Sequence, residues 1–174
     1  YDVIVCPHCG YGALSRFFSY MTTHQAKLIH DNISTNFKGL APTGDTYTYD
    51  DAITRYKLAL LNTVVKKAKV SERAYTCLKL AWLYRGKAEN LKPDEADYAK
   101  KKEECAKAEK EMLANAYEGF MMSVSKENFP ICGMDETTLD YLMANLAKQI
   151  GRIDEASRIV SRILVSKTAN PKIK

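Results

Sequence analysis

The sequence predicts an all-α fold of antiparallel helical hairpins, entered through a short N-terminal strand and a CxxC turn. Three observations carry this. Tyr49–Arg85 holds two amphipathic segments joined by a short polar break at Lys69–Ser71. Small and aromatic residues recur at helical spacing through the rest of the chain. A β-prone pentapeptide, YDVIV, runs directly into CPHCG.

The composition fits an ordinary globular chain. Of 174 residues, 46% are hydrophobic and 27% charged, enough to bury a core without staples. The net charge of +5 is mildly basic. The densest lysine cluster outside the mixed-charge helix, Lys66, Lys67 and Lys69, is too short to imply nucleic acid. No apolar run reaches the roughly 18 residues of a membrane span. The cysteines, Cys6, Cys9, Cys77, Cys105 and Cys132, are odd in number and mostly scattered. That is a poor disulfide framework and fits a reducing cytoplasm.

In chain order, residues 1–5 read as a strand. Ala13–Tyr20 reads as irregular or weakly helical. Thr22 opens a helix, with Gln25 completing a capping box and Ala26, Ile29, Ile33 and Phe37 as its buried stripe. Gly39–Thr48 is a loop. The next helix runs from Tyr49 or Asp50 to about Ala68, acidic at its start and lysine-rich at its end. Ser71 is expected to cap the helix after it, with Leu80, Ala81 and Tyr84 meeting Ala52, Tyr56 and Ala59. Pro93 suits the start of a long helix from Asp94 to about Val124. Its charged first half, with i,i+4 pairs such as Asp97 with Lys101, reads as a solvated face. Asp135 or Glu136 opens a helix ending at Gly151, and a last helix runs from Glu155 to about Ser166. Asn170-Pro171 ends the fold. Two units follow: 1–21, the knuckle half and connector, and 22–174, a helical repeat-like domain.

The helices resemble degenerate tetratricopeptide repeats. Cys77-x2-Leu80-Ala81-x2-Tyr84 follows the first-helix pattern of that repeat, with Cys for Trp and Ala for Gly. Ala52-x3-Tyr56 and Ala116-x3-Phe120 follow the second-helix pattern. Gly151, Ala156 and Val160 follow its turn and second helix, after Met143-Ala144. Generic helical hairpins share such small residues, so the spacing alone leaves both readings open. Trp82, Tyr84 and Arg85 are the candidate recognition residues. A plainer reading makes the two aromatics packing residues and Arg85 a pairing residue near a helix end.

Cys6-Pro7-His8-Cys9-Gly10 is the motif with chemistry. Two cysteines two residues apart reach one Zn²⁺, with turn N–H groups facing the thiolates. Gly10 takes the position where positive φ is expected. A closed site needs four ligands, and one CxxC gives two. Cys132, His24 and His30 are weak alternatives. His8 is expected to point outward. The missing pair is expected upstream of Tyr1. CPHC also resembles the active-site motif of DsbA-type thioredoxin-fold oxidases. That chemistry needs the first Cys at a helix N-terminus, and Gly10-Tyr11-Gly12 starts a helix poorly. The remaining strands of such a fold are absent from the pattern, and no proline leads into a strand where its cis-proline would sit.

Tyr1–Gly12, AITRYKLALL at Ala52–Leu61, LAWLYR at Leu80–Arg85, GMDETTLDYL at Gly133–Leu142, Gly151–Ala156 and Asn170–Lys172 together resemble a bacterial family of uncharacterised cytoplasmic proteins. That family carries an upstream CPxC knuckle, a second CPxCGY knuckle and a repeat-like helical tail. The resemblance implies a metal role for Cys6 and Cys9. The first knuckle is absent from these 174 residues. The expected function is a non-enzymatic helical scaffold for protein–protein contact, taking a protein or peptide partner, with a partial Zn²⁺ site. The alternatives are a nucleic-acid-binding zinc ribbon and a thiol-disulfide oxidoreductase. No Ser/His/Asp arrangement, phosphate loop or HExxH occurs.

Overall fold

The computed structural model describes residues 1–94 and 96–165. Among these residues two strands, β1 (Val3–Val5) and β2 (Gly12–Leu14), precede seven helices: α1 (Ser15–Phe18), α2 (Thr23–Asn32), α3 (Tyr49–Val65), α4 (Val70–Asn90), α5 (Tyr98–Lys126), α6 (Glu136–Gln149) and α7 (Ile153–Val165). One 3-10 turn, Ser34–Asn36, follows α2. The fold is mainly helical, as predicted, with its sheet at the N-terminus. The expected end of α7 at Ser166, and Asn170-Pro171, lie outside the described residues.

The second strand was not legible. Gly12-Ala13-Leu14 has no β-branched residue, and its extended form comes from antiparallel pairing of Val3 with Leu14, Ile4 with Ala13 and Val5 with Gly12. The region expected to be irregular therefore opens with β2, and α1 is the weakly helical part.

Capping explains most helix starts. Thr22 and Gln25 form the predicted box on α2, and Thr48 with Asp51 forms another on α3. Asp135 accepts from the Thr138 N–H at 2.7 Å on α6. α4 differs from expectation. Ser71 does not cap it, because the helix already begins at Val70 and its N-cap, Lys69, makes no side-chain bond. The cap comes from Glu127, whose carboxylate accepts from Ser71 N (2.9 Å) and Ser71 Oγ (2.6 Å). An anion there also suits the positive end of the helix dipole. α5 starts at Tyr98, not Asp94, because Asp97 adopts φ +60° and Pro93 sits in the preceding turn.

The helices pack in chain order, α3 on α4, α4 on α5, α5 on α6 and α6 on α7. α4 is two-faced. Leu80 and Leu83 join Val3, Leu14, Ala52, Ile53, Tyr56 and Ala59. Ala74, Leu78 and Ala81 join Leu113, Ala116, Tyr117, Phe120, Leu139 and Met143. Ala81 was expected against Ala52 and Tyr56; it belongs to the α5 side instead. The α4–α5 crossing is close at Gly119, where an added Cβ would lie 2.7 Å from the Ala74 Cβ. The strands share a core with α3 and α4, so packing is continuous across residue 21.

Candidate metal centre and recognition face

The CPHCG turn closes the β1–β2 hairpin. Cys6 N donates to the Tyr11 carbonyl at 2.8 Å, and Gly10 N donates to the Cys6 carbonyl at 3.1 Å. Gly10 has φ +71°, and a Cβ on it would meet the Phe37 ring at 2.6 Å. Both constraints require glycine. The turn is fixed to the helices from below. Asn62, fully buried on α3, donates through Nδ2 to the Gly10 carbonyl (3.0 Å) and the Leu58 carbonyl (2.8 Å). Tyr11 and Ala13 pack on Ile29 of α2 and on Ile33 just after it, with Cys6 and Cys9 at the edge of that cluster.

The backbone N–H groups of Cys9 and His8, then the Cys9 thiol, all hydrogen-bond to Cys6 sulfur and hold its pKa below the ordinary thiol value. Both cysteines are free thiols and half-buried, while His8 is exposed. The alternative donors lie elsewhere. His30 faces Asp31 at 3.0 Å, and His24 is exposed. The Cys132 thiol donates to the Ser71 carbonyl at 3.4 Å, and burial pushes its pKa up. Among the described residues no group of three or more His, Cys, Asp or Glu could hold a metal ion. The donor set here is two thiols on one turn, which fits two corners of a tetrahedral site. The same turn sits between strands, with the nearest following helix beginning at Ser15, so neither cysteine lies at a helix N-terminus.

Trp82, Tyr84 and Arg85 point three ways. Tyr84 packs beside the α3–α4 core, with the Lys57 ammonium 5.9 Å from its ring. Arg85 is held by Glu109 (Nε to Oε1, 2.7 Å) and Gln149 (Nη2 to Oε1, 2.5 Å), bracing α4 against α5 and α6. Both therefore have partners within the chain. Trp82 is 43% exposed, with the Lys79 ammonium 5.4 Å from its ring. Grooves flank it on both sides. One, about 400 Å³, runs between α4 and α6 past Tyr75, Tyr141 and Asn145. The other, about 610 Å³, runs toward Tyr1, Tyr49 and Lys79. Tyr141 went unremarked in the sequence; its signal was a large aromatic off the buried stripe of α6, 53% exposed. The lysine cluster is split too, since Lys66 is buried and paired with Glu72 at 2.7 Å.

No helix among the described residues is long and apolar enough to cross a membrane. Neither the curated proteins nor the solved structures gave a match. The family comparison did: a match over residues 1–174, the whole length of the helices and hairpin described above, places the chain in the bacterial family described as "Uncharacterized protein conserved in bacteria (DUF2225)".

Proposed function

We propose that this chain is a non-enzymatic, cytoplasmic helical scaffold for protein–protein contact. Its N-terminal turn is half of a structural Zn²⁺ knuckle completed by donors outside these 174 residues. The observation that carries the reading is the CPHCG turn, where N–H groups converge on Cys6 sulfur while Asn62 and Phe37 hold the backbone from below. A bound Zn²⁺ would cross-link Cys6 and Cys9 to the missing donors. The chain's own residues would supply two sulfurs from one turn. The tetratricopeptide-like reading draws support from the pairing of α4 with α5 and α6 with α7, the helices that carry the repeat patterns. In that reading α4 and α6 line the recognition groove, with Trp82 and Tyr141 as its aromatic edges.

Metal content tests the knuckle. Native protein isolated from its bacterium is expected to carry zinc, and Cys6→Ser is expected to lose it, because one thiolate cannot replace two. Equal zinc in the two proteins would sink the knuckle and move thiol redox forward. Trp82 tests the groove. Its emission is expected to shift when a protein partner binds, and Trp82→Ala is expected to weaken that binding by roughly 2 kcal/mol, as for a buried aromatic anchor. Unchanged affinity would place recognition elsewhere.

A further inference from the structure

The geometry points to a binding cleft for a small organic anion, a carboxylate carried on an aromatic or alkyl body, where three connections of the chain meet. The cleft, about 830 Å³, lies between the segment joining α1 to α2, the α3–α4 turn and the connector from α5 to α6. Clefts of roughly 300–1,000 Å³ that combine apolar walls with a few placed polar groups are the usual seats of small ligands. This one shares no lining residue with the CPHCG turn or with the grooves beside Trp82. Phe17, Met21 and Pro130 supply apolar wall, and Tyr20 stands 77% exposed beside them.

Charge selects the ligand. Two carboxylates line the cleft, and both are engaged within the chain. Glu127 uses both oxygens on Ser71, and Glu72 pairs with the buried Lys66 at 2.7 Å. Two cations line it as well, Arg16 and Lys69, and among the described residues neither has an acidic partner. Arg16 Nη1 donates to the Cys132 carbonyl at 2.8 Å, which positions the guanidinium while leaving its charge uncompensated. The rings of Phe17 and Tyr75 lie 5.6 and 5.4 Å from its central carbon. Gly133 keeps room for it, since a Cβ there would stand 2.9 Å from Nη2. The turn that presents the carbonyl is itself constrained. Cys132 holds φ +49°, unfavourable for a residue with a side chain, and such strain gathers at ligand clamps. The remaining N–H groups of a guanidinium match the edge of a carboxylate. A bare anion would leave the apolar wall in water. An amine of the same shape would find both carboxylates taken.

The test is a nuclear magnetic resonance titration of the whole nitrogen-labelled protein with three probes: phenylacetate, benzylamine and inorganic phosphate. It reads neither zinc nor Trp82. Phenylacetate is expected to move the amide signals of Met21, Lys69, Asn128 and Gly133, with a dissociation constant on the order of a millimolar. Benzylamine, matched in shape but opposite in charge, is expected to leave those signals in place. Phosphate is expected to bind at least about tenfold more weakly than phenylacetate. Arg16→Met and Lys69→Ala are each expected to weaken phenylacetate by about tenfold, the loss of one charge-assisted contact. Lys69 is exposed and makes no side-chain bond to the fold, so its variant decides the matter even if Arg16→Met loosens the Cys132 turn. Signals that stay fixed under phenylacetate would overturn the proposal. So would benzylamine or phosphate binding as tightly as phenylacetate, or an affinity unchanged by Lys69→Ala.

Discussion

Lys66→Met is expected to destabilise the protein by about 3–5 kcal/mol, a large share of the roughly 5–15 kcal/mol that holds a domain together. Lys66, the residue after α3, is 1% exposed, with its ammonium 2.7 Å from Glu72 Oε1 and 5.5 Å from the Tyr11 ring centre. Removing the cation leaves the Glu72 carboxylate in the interior without its counter-charge. The cost comes from that stranded charge, not from the net value of the pair, which for buried pairs is often near zero. Adding Glu72→Leu to Lys66→Met is therefore expected to recover most of the loss. Urea midpoints of the single and double variants decide the matter. If the double variant is no more stable than the single one, packing rather than charge sets the cost.

Phe120→Ala is expected to cost about 3–5 kcal/mol by a different route. Phe120 is fully buried on α5, in the cluster that joins α4, α5, α6 and α7. Its neighbour Gly119 already brings α4 into backbone-close contact at Ala74, so the helices have little room to collapse into the space left by the ring. A residual cavity adds to the lost transfer energy. The measurement is the denaturant midpoint at unchanged m-value. A loss below about 1 kcal/mol would mean the α4–α5 crossing relaxes freely, contrary to the packing described.

What was legible in the sequence was local. The Thr22–Gln25 box, the Asp135 cap and the Gly10 position each depend on residues within a few positions of one another. So does the CPHCG turn, which closes a hairpin between neighbouring strands. What was illegible depended on distance along the chain. Ser71 looks like a cap, but the capping carboxylate comes from Glu127, 56 residues away. Arg85 stood out as a recognition candidate, and its bonds to Glu109 and to Gln149, which lies 64 residues on, were not visible in the spacing. Lys66 looks like part of a basic patch until its burial against Glu72 is seen. Ala81 fits the helical pattern on either side of α4, and amphipathic spacing does not say which neighbour takes which face. Of the three candidate recognition residues, Trp82 is exposed, while Tyr84 and Arg85 are half-buried.

The bond from Ser71 to Glu127 also bears on mechanics. α4 and α5 are joined covalently at one end by residues 91–97, and at the opposite end the Glu127 carboxylate fastens the start of α4 to the close of α5. A hairpin fastened at both ends behaves as a ring, whose two long sides cannot splay apart by hinging at the loop. The loop is then relieved of setting the angle between the helices. Its length enters only through closure entropy, about 0.6 kcal/mol for each doubling. A longer or shorter stretch around Pro93 is thus expected to leave the packing of α4 on α5 in place, with the tolerance set at the far end of the helices from the loop itself.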